Sequence, residues 1–159
     1  MHLSALLCAI LSTTAIPTGA PIMPEQHPTT IRGAFDVRLS PQAADGTADI
    51  GRMLLDKRYH GALDAVGSGQ MLGWRSPVQG SAGYVAMERV RGTLEGRQGS
   101  FTLQHSGLMD RGAPELHIRV VPDSADGGLL GLRGTMQIEI AADGAHSYVF
   151  RYALPAAVD

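Results

Sequence analysis

The sequence predicts an all-β domain, a closed antiparallel β-barrel of about eight strands. Three observations lead there. From Thr29 onward, apolar and polar residues alternate in short runs; clusters of Gly, Pro, Asp and Ser separate the runs; and no helical pattern lies between them. Strands spaced in this way build a sandwich or a barrel, and closure removes the exposed edges that invite aggregation.

Taken in order, Ile31 to Leu39 has Gly33, Phe35, Val37 and Leu39 on one side and Arg32, Asp36 and Arg38 on the other, the period of two expected of a half-buried strand. Ser40 to Thr47 (SPQAADGT) is turn chemistry. Ile50 to His60 is extended again, with Met53, Leu55 and Tyr59 sharing a side. Gly61 to Val66 and Gln70 to Trp74 read as shorter pieces broken at Gly67 and Gly69, and Ser76 to Gly80 reads as a loop. Gly83 to Leu94 (GYVAMERVRGTL) and Ser100 to Gly107 (SFTLQHSG) form a hairpin through the connection Glu95 to Gly99. Glu115 to Val121 alternates through Leu116, Ile118 and Val120, and Pro122 to Gly128 is a loop. Thr135 to Ala141 alternates through Met136, Ile138 and Ile140, Asp143-Gly144 marks a hairpin turn, and His146 to Leu154 closes the domain through Tyr148, Phe150 and Tyr152.

The 159 residues suit one domain, placed at 31–154, with a linker at 23–30 and a tail at 155–159. A formal net charge of −2 and the absence of a basic stripe argue against nucleic-acid binding. No apolar run is long enough for a membrane-spanning helix. Residues 1–22 read as a signal peptide or leader, because the short apolar run Leu3 to Leu11 precedes small residues near Ala15. The expected location is therefore secreted or periplasmic, or cytoplasmic if Met23 is the true start. Cys8, the only cysteine, lies in that run, so a mature chain would hold neither a disulfide nor Cys-ligated zinc.

Two residues invite chemistry. Glu88 shares a parity with Tyr84, Ala86 and Val90, an otherwise apolar set, although Val85, Met87, Arg89 and Arg91 on the other parity leave the inward face open. It reads either as a general acid or base with a raised pKa, or as half of a structural ion pair with an Arg on a neighbouring strand. His105 follows Phe101 and Leu103 on one face and is expected at the inner mouth of the barrel. With the hairpin centred near Gln98, Glu88 would pair close to 107 or 108, one or two steps from His105. The pair would move a proton on a bound ligand, or His105 is a core histidine bonded to a carbonyl. Tyr84, Ala86, Phe101, Leu103 and Trp74 are the candidate ligand contacts. Gln104, Ser106, Asp56, Asp64 and Glu139 read as solvated. No metal site is expected, since His27, His60, His105, His117 and His146 lack ligand spacing. Gly92, Gly96 and Gly99 read as turn and bulge glycines, not a phosphate loop.

The stretch Gly80 to Gly107 (GSAGYVAMERVRGTLEGRQGSFTLQHSG) resembles the signature of a bacterial family, domain of unknown function 3224. Val120 to Gly134 (VVPDSADGGLLGLRG) and Ser147 to Leu154 (SYVFRYAL) fit the same family, and the resemblance runs from about Ile31 to Leu154. It implies an allene-oxide-cyclase-like barrel. Allene oxide cyclase cyclises a fatty-acid epoxide in an apolar barrel without a cofactor, but fold alone does not transfer chemistry, and its catalytic residues are not carried onto this chain. Three functions are expected in turn: a module binding a small apolar or amphipathic ligand, a cofactor-independent isomerase or cyclase using Glu88 and His105, or a filled structural barrel. The expected partners are a small apolar ligand and further copies in a homo-oligomer. Small inner residues and an aromatic content of 5% favour an open interior.

Overall fold

The computed structural model describes residues 28–43, 46 and 49–155. The leader, most of the linker and the last four residues lie outside that range, and with them the expected signal peptide, Cys8 and Met23. Nine strands follow in order: β1 Thr29–Pro41, β2 Gly51–Tyr59, β3 Leu63–Arg75, β4 Ala82–Leu94, β5 Arg97–Asp110, β6 Ala113–Val120, β7 Asp126–Gly127, β8 Arg133–Ile140 and β9 His146–Ala153. Every pairing is antiparallel, and the ladder runs β1-β2-β3-β4-β5-β6-β8-β9 and back to β1. Eight strands therefore close a barrel. The two-residue β7 occupies the edge of β5 beyond the end of β6, pairing Gly99 with Gly127 and Ser100 with Asp126. No described helix is long and apolar enough to cross a membrane.

The alternation read from the sequence sets the inside. On β4, Ala86, Glu88, Val90 and Leu94 are buried while Val85, Met87 and Arg91 are exposed, which settles the inward parity. Two expectations about the backbone are corrected. Gly67 and Gly69 do not break β3, which continues through both as one strand of 13 residues. Both face a crowded interior: a Cβ on Gly67 would overlap the Glu88 carboxylate, and one on Gly69 would overlap the Met87 carbonyl. The β4–β5 hairpin is also tighter than expected. Glu95 and Gly96 alone form the turn, both at positive φ (47° and 80°), the backbone of a two-residue hairpin. Glu88 accordingly faces Leu103, and His105 faces Ala86. Gly92 and Gly99 pair with each other in a regular ladder, so neither is a bulge.

The interior has two unlike halves. At the base, where β4 turns into β5, the barrel is filled. Tyr59, Leu63, Leu94, Phe101, Leu103, Ile118, Tyr148 and Phe150 are all at most 1% exposed. Phe101 and Phe150 stack with centroids 5.7 Å apart, and Tyr59 meets Tyr148 edge-on at 5.6 Å. The connection between β6 and β8 folds under this end and drives Ala125, Leu129 and Leu132 into the core. Asp126 fastens that connection, accepting hydrogen bonds from the Ser100 amide (2.8 Å) and Ser100 hydroxyl (2.7 Å) and an ion pair from Arg89 (2.8 Å). At the other end, the mouth, inner positions carry Gly51, Met53, Met71, Gly73 and Gly107, and the interior is open.

Candidate functional site

Midway along the barrel, one polar cluster is buried among apolar side chains. Glu88 on β4 is 0% exposed, Lys57 on β2 is 7% exposed and His105 on β5 is 2% exposed. Lys57 Nζ donates to Glu88 Oε2 at 2.9 Å, and the Tyr59 hydroxyl donates to Oε1 at 2.8 Å. His105 Nε2 lies 3.0 Å from Oε2, close enough for an ion-pair contact but without the alignment of a hydrogen bond. Lys57 also sits 5.0 Å from the Phe35 ring centroid and 5.4 Å from that of Tyr59, which offsets part of its lost hydration. The local sequence makes room for all of this, since Lys57 pairs with Gly67 and Glu88 with Gly69 across β3.

The electrostatics follow from the geometry. Burial alone would raise the Glu88 carboxyl; the His105 imidazole and the Lys57 ammonium outweigh it and hold the group below the usual carboxylate range. This is opposite to the raised pKa that a general acid at this position would show. Burial, followed by the charge of Glu88 and the hydrogen bond to it, pushes the Tyr59 hydroxyl well up, so it stays a donor. The Tyr84 hydroxyl is raised by burial and then by the Glu88 charge.

Above the cluster lies a cavity of about 610 Å³, lined by Met53, Met71, Tyr84, Met109, Leu116 and Ile140 among others, with Asp49, Arg75 and Glu115 the charged side chains on it among the described residues. Its volume falls in the usual range for small-molecule sites. One wall is parted. β6 and β8 pair only at Ile118–Met136 and Arg119–Thr135, and toward the mouth, where Pro114, Leu116 and Ile140 line the cavity, the two strands no longer bond.

The structure brings the two candidate residues into contact, though not in the register expected. Glu88 and His105 do meet, but as diagonal neighbours. His105 is not at the mouth: Gly107 and Met109 are, and His105 lies one layer deeper. Glu88's partners include no Arg: Lys57 reaches it from two strands away, beside the His105 contact from the adjacent β5. Of the candidate ligand contacts, Tyr84 and Trp74 line the cavity. Ala86 is buried below it, and Phe101 and Leu103 belong to the filled base. Gln104, Ser106, Asp56, Asp64 and Glu139 are exposed, with Asp64 paired to Arg58. Lys57 was missed, though its parity with Met53, Leu55 and Tyr59 marked a charge on an apolar face.

The family model described as a protein of unknown function (DUF3224) matches residues 31–152. The chain belongs to the DUF3224 family. A crystal structure of a DUF3224 protein of unknown function from Shewanella oneidensis MR-1 is 48% identical to it, with a TM-score of 0.76, covering 82% of this chain and all of its own. The allene-oxide-cyclase-like barrel expected from the resemblance is consistent with this closed DUF3224 barrel. No curated protein matches the chain.

Proposed function

We propose that this DUF3224 protein is a binding module that holds a small apolar or amphipathic ligand in the mouth of its barrel. The observation that carries the reading is the open apolar cavity of about 610 Å³ above a filled base. A barrel serving only as structure would pack both halves alike. The parted β6–β8 wall supplies a way in. Trp74, the only tryptophan, lies on the cavity and serves as an internal reporter. Native mass spectrometry of the purified protein, with Trp74 fluorescence during titration with apolar compounds, tests the reading. A retained small molecule or a saturable Trp74 change is expected. A protein that carries nothing and whose Trp74 responds to no apolar compound would refute it.

An isomerase or cyclase using Glu88 and His105 is less well supported. Both Glu88 oxygens are engaged, and neither residue lines the cavity. For location, the apolar run Leu3 to Leu11 supports export, which fractionation of cells expressing the full chain would test.

A further inference from the structure

The inner glycines of this barrel fall into two classes. A glycine inside a strand weakens it and commonly marks a place where another backbone or a ligand comes close. At Gly33, Gly67, Gly69 and Gly107 the neighbour is the protein itself. An added Cβ would collide with Tyr148, the Glu88 carboxylate, the Met87 carbonyl or the Tyr84 ring, respectively. Gly51 and Gly73 differ. They pair with each other across β2 and β3 and both line the cavity, yet a Cβ would find its nearest neighbour 3.7 Å away at Gly51 and 3.6 Å away at Gly73. Neither has a positive φ that would call for glycine. The chain thus leaves glycine at two adjoining positions on the wall of this cavity where a Cβ would meet only ordinary van der Waals neighbours, so its own packing does not require the missing side chains.

Resting on the binding reading above, we propose that the bare Gly51–Gly73 wall is the seat of a planar, ring-bearing apolar ligand. One glycine on each of two adjacent strands leaves a patch of bare peptide, about 4.8 Å from strand to strand, against which a ring face can lie. The surroundings suit a ring as well. Met53 and Met71 form the next inward-facing cross-strand pair below the glycines, and thioethers make favourable contacts with aromatic rings. Tyr84, the register partner of Gly73 on β4, brings its own ring to the cavity wall. A flexible alkyl chain gains nothing from a flat wall, because branched side chains would grip it better.

The test uses the full chain and two neutral probes matched in carbon number and each bearing one hydroxyl, 2-naphthol and 1-decanol, with binding followed by calorimetry. Binding of 2-naphthol at least about tenfold tighter is expected, with a further loss of about tenfold or more in Gly73→Leu. Gly51→Ala, a smaller change at the other half of the wall, is expected to weaken 2-naphthol and leave thermal stability within a few degrees, so the result stands even if Gly73→Leu folds poorly. Equal or tighter binding of 1-decanol, or 2-naphthol binding that neither substitution weakens, overturns the planar ligand and leaves the binding module standing. Binding of neither probe overturns the planar ligand, and, joined to a protein that carries nothing in native mass spectrometry and whose Trp74 responds to no apolar compound, overturns both.

Discussion

Lys57 and Glu88 meet at 2.9 Å inside the barrel although they stand on strands that are not neighbours. The strand between them, β3, passes beneath their side chains with glycines at 67 and 69, and Gly67 is the position whose Cβ would displace the carboxylate. A buried ion pair of this kind adds little net stability over an apolar substitute, but losing one partner strands a charge in a medium that cannot solvate it.

Glu88→Gln is therefore expected to cost about 3–5 kcal/mol in urea unfolding, because Lys57 is left buried without its counter-charge. The paired change Lys57→Met with Glu88→Leu should recover much of that loss. A single-variant loss below about 1 kcal/mol would show that the pair is solvated in solution.

Acid should weaken the fold in a defined window. The Glu88 carboxyl is held below its ordinary value by His105 and Lys57 against the opposing effect of burial. A carboxyl lowered on folding contributes stability that is complete above its unfolded pKa of about 4.3 and is lost as pH falls through the lower folded value. Unfolding free energy measured against pH should drop across that window, and Glu88→Gln should flatten the drop. An unchanged slope in the variant would assign the acid sensitivity to other carboxylates.

The two glycine classes should respond with opposite signs. Gly67→Ala forces a methyl into the Glu88 carboxylate and is expected to destabilise by about 1–3 kcal/mol. Gly73→Ala adds a methyl that meets its nearest neighbours at an ordinary van der Waals distance of 3.6 Å, at a position without positive φ, and is expected to stabilise by about 0.4–1 kcal/mol, through the narrower unfolded ensemble. Thermal unfolding of both variants side by side checks the contrast; similar losses at both positions would contradict it.

Asp126→Ala should loosen the base without opening the barrel. Asp126 holds the Ser100 amide and hydroxyl and the Arg89 guanidinium, and these bonds bind the β6–β8 connection to β5. Hydrogen exchange should accelerate at Leu129 and Leu132, whose side chains that connection buries, while amides of the β3–β4 ladder stay protected. Uniform acceleration would mean that the connection and the barrel open as one unit.

Strand identity was legible because burial on one face imposes a period of two, and β1, β4, β8 and β9 show it, while β6 shows it only at Ile118 and Val120. Gly67 and Gly69 misled because glycine's low strand propensity is a local signal, whereas the reason for these two lies on β4 and arrives only with folding. The register of the central hairpin turned on whether Glu95-Gly96 alone makes the turn. Glu95 tolerates its positive φ while its carboxylate accepts the hydrogen bond of Tyr152 from the far side of the barrel. The Glu88–His105 contact survived the register error because diagonal cross-strand neighbours remain within reach of long side chains. Lys57 was visible by parity alone, but its partner was not, since no local pattern links strands separated by a third.

The closing seam has a consequence for how the molecule is made. β1 pairs with β2 on one side, but its other edge is satisfied only by β9, with Thr29 facing Tyr152 and Phe35 facing His146. During synthesis the first strand emerges long before its second partner exists, and the nascent chain can at best form an open sheet with an unsatisfied edge. The tight β4–β5 hairpin can assemble at once, whereas circular closure must wait for β9 and then bridge the sequence separation between Thr29 and Tyr152. Folding of this barrel is thus gated by its C-terminal strand, and a chain truncated before His146 should emerge as a sticky sheet rather than a smaller barrel.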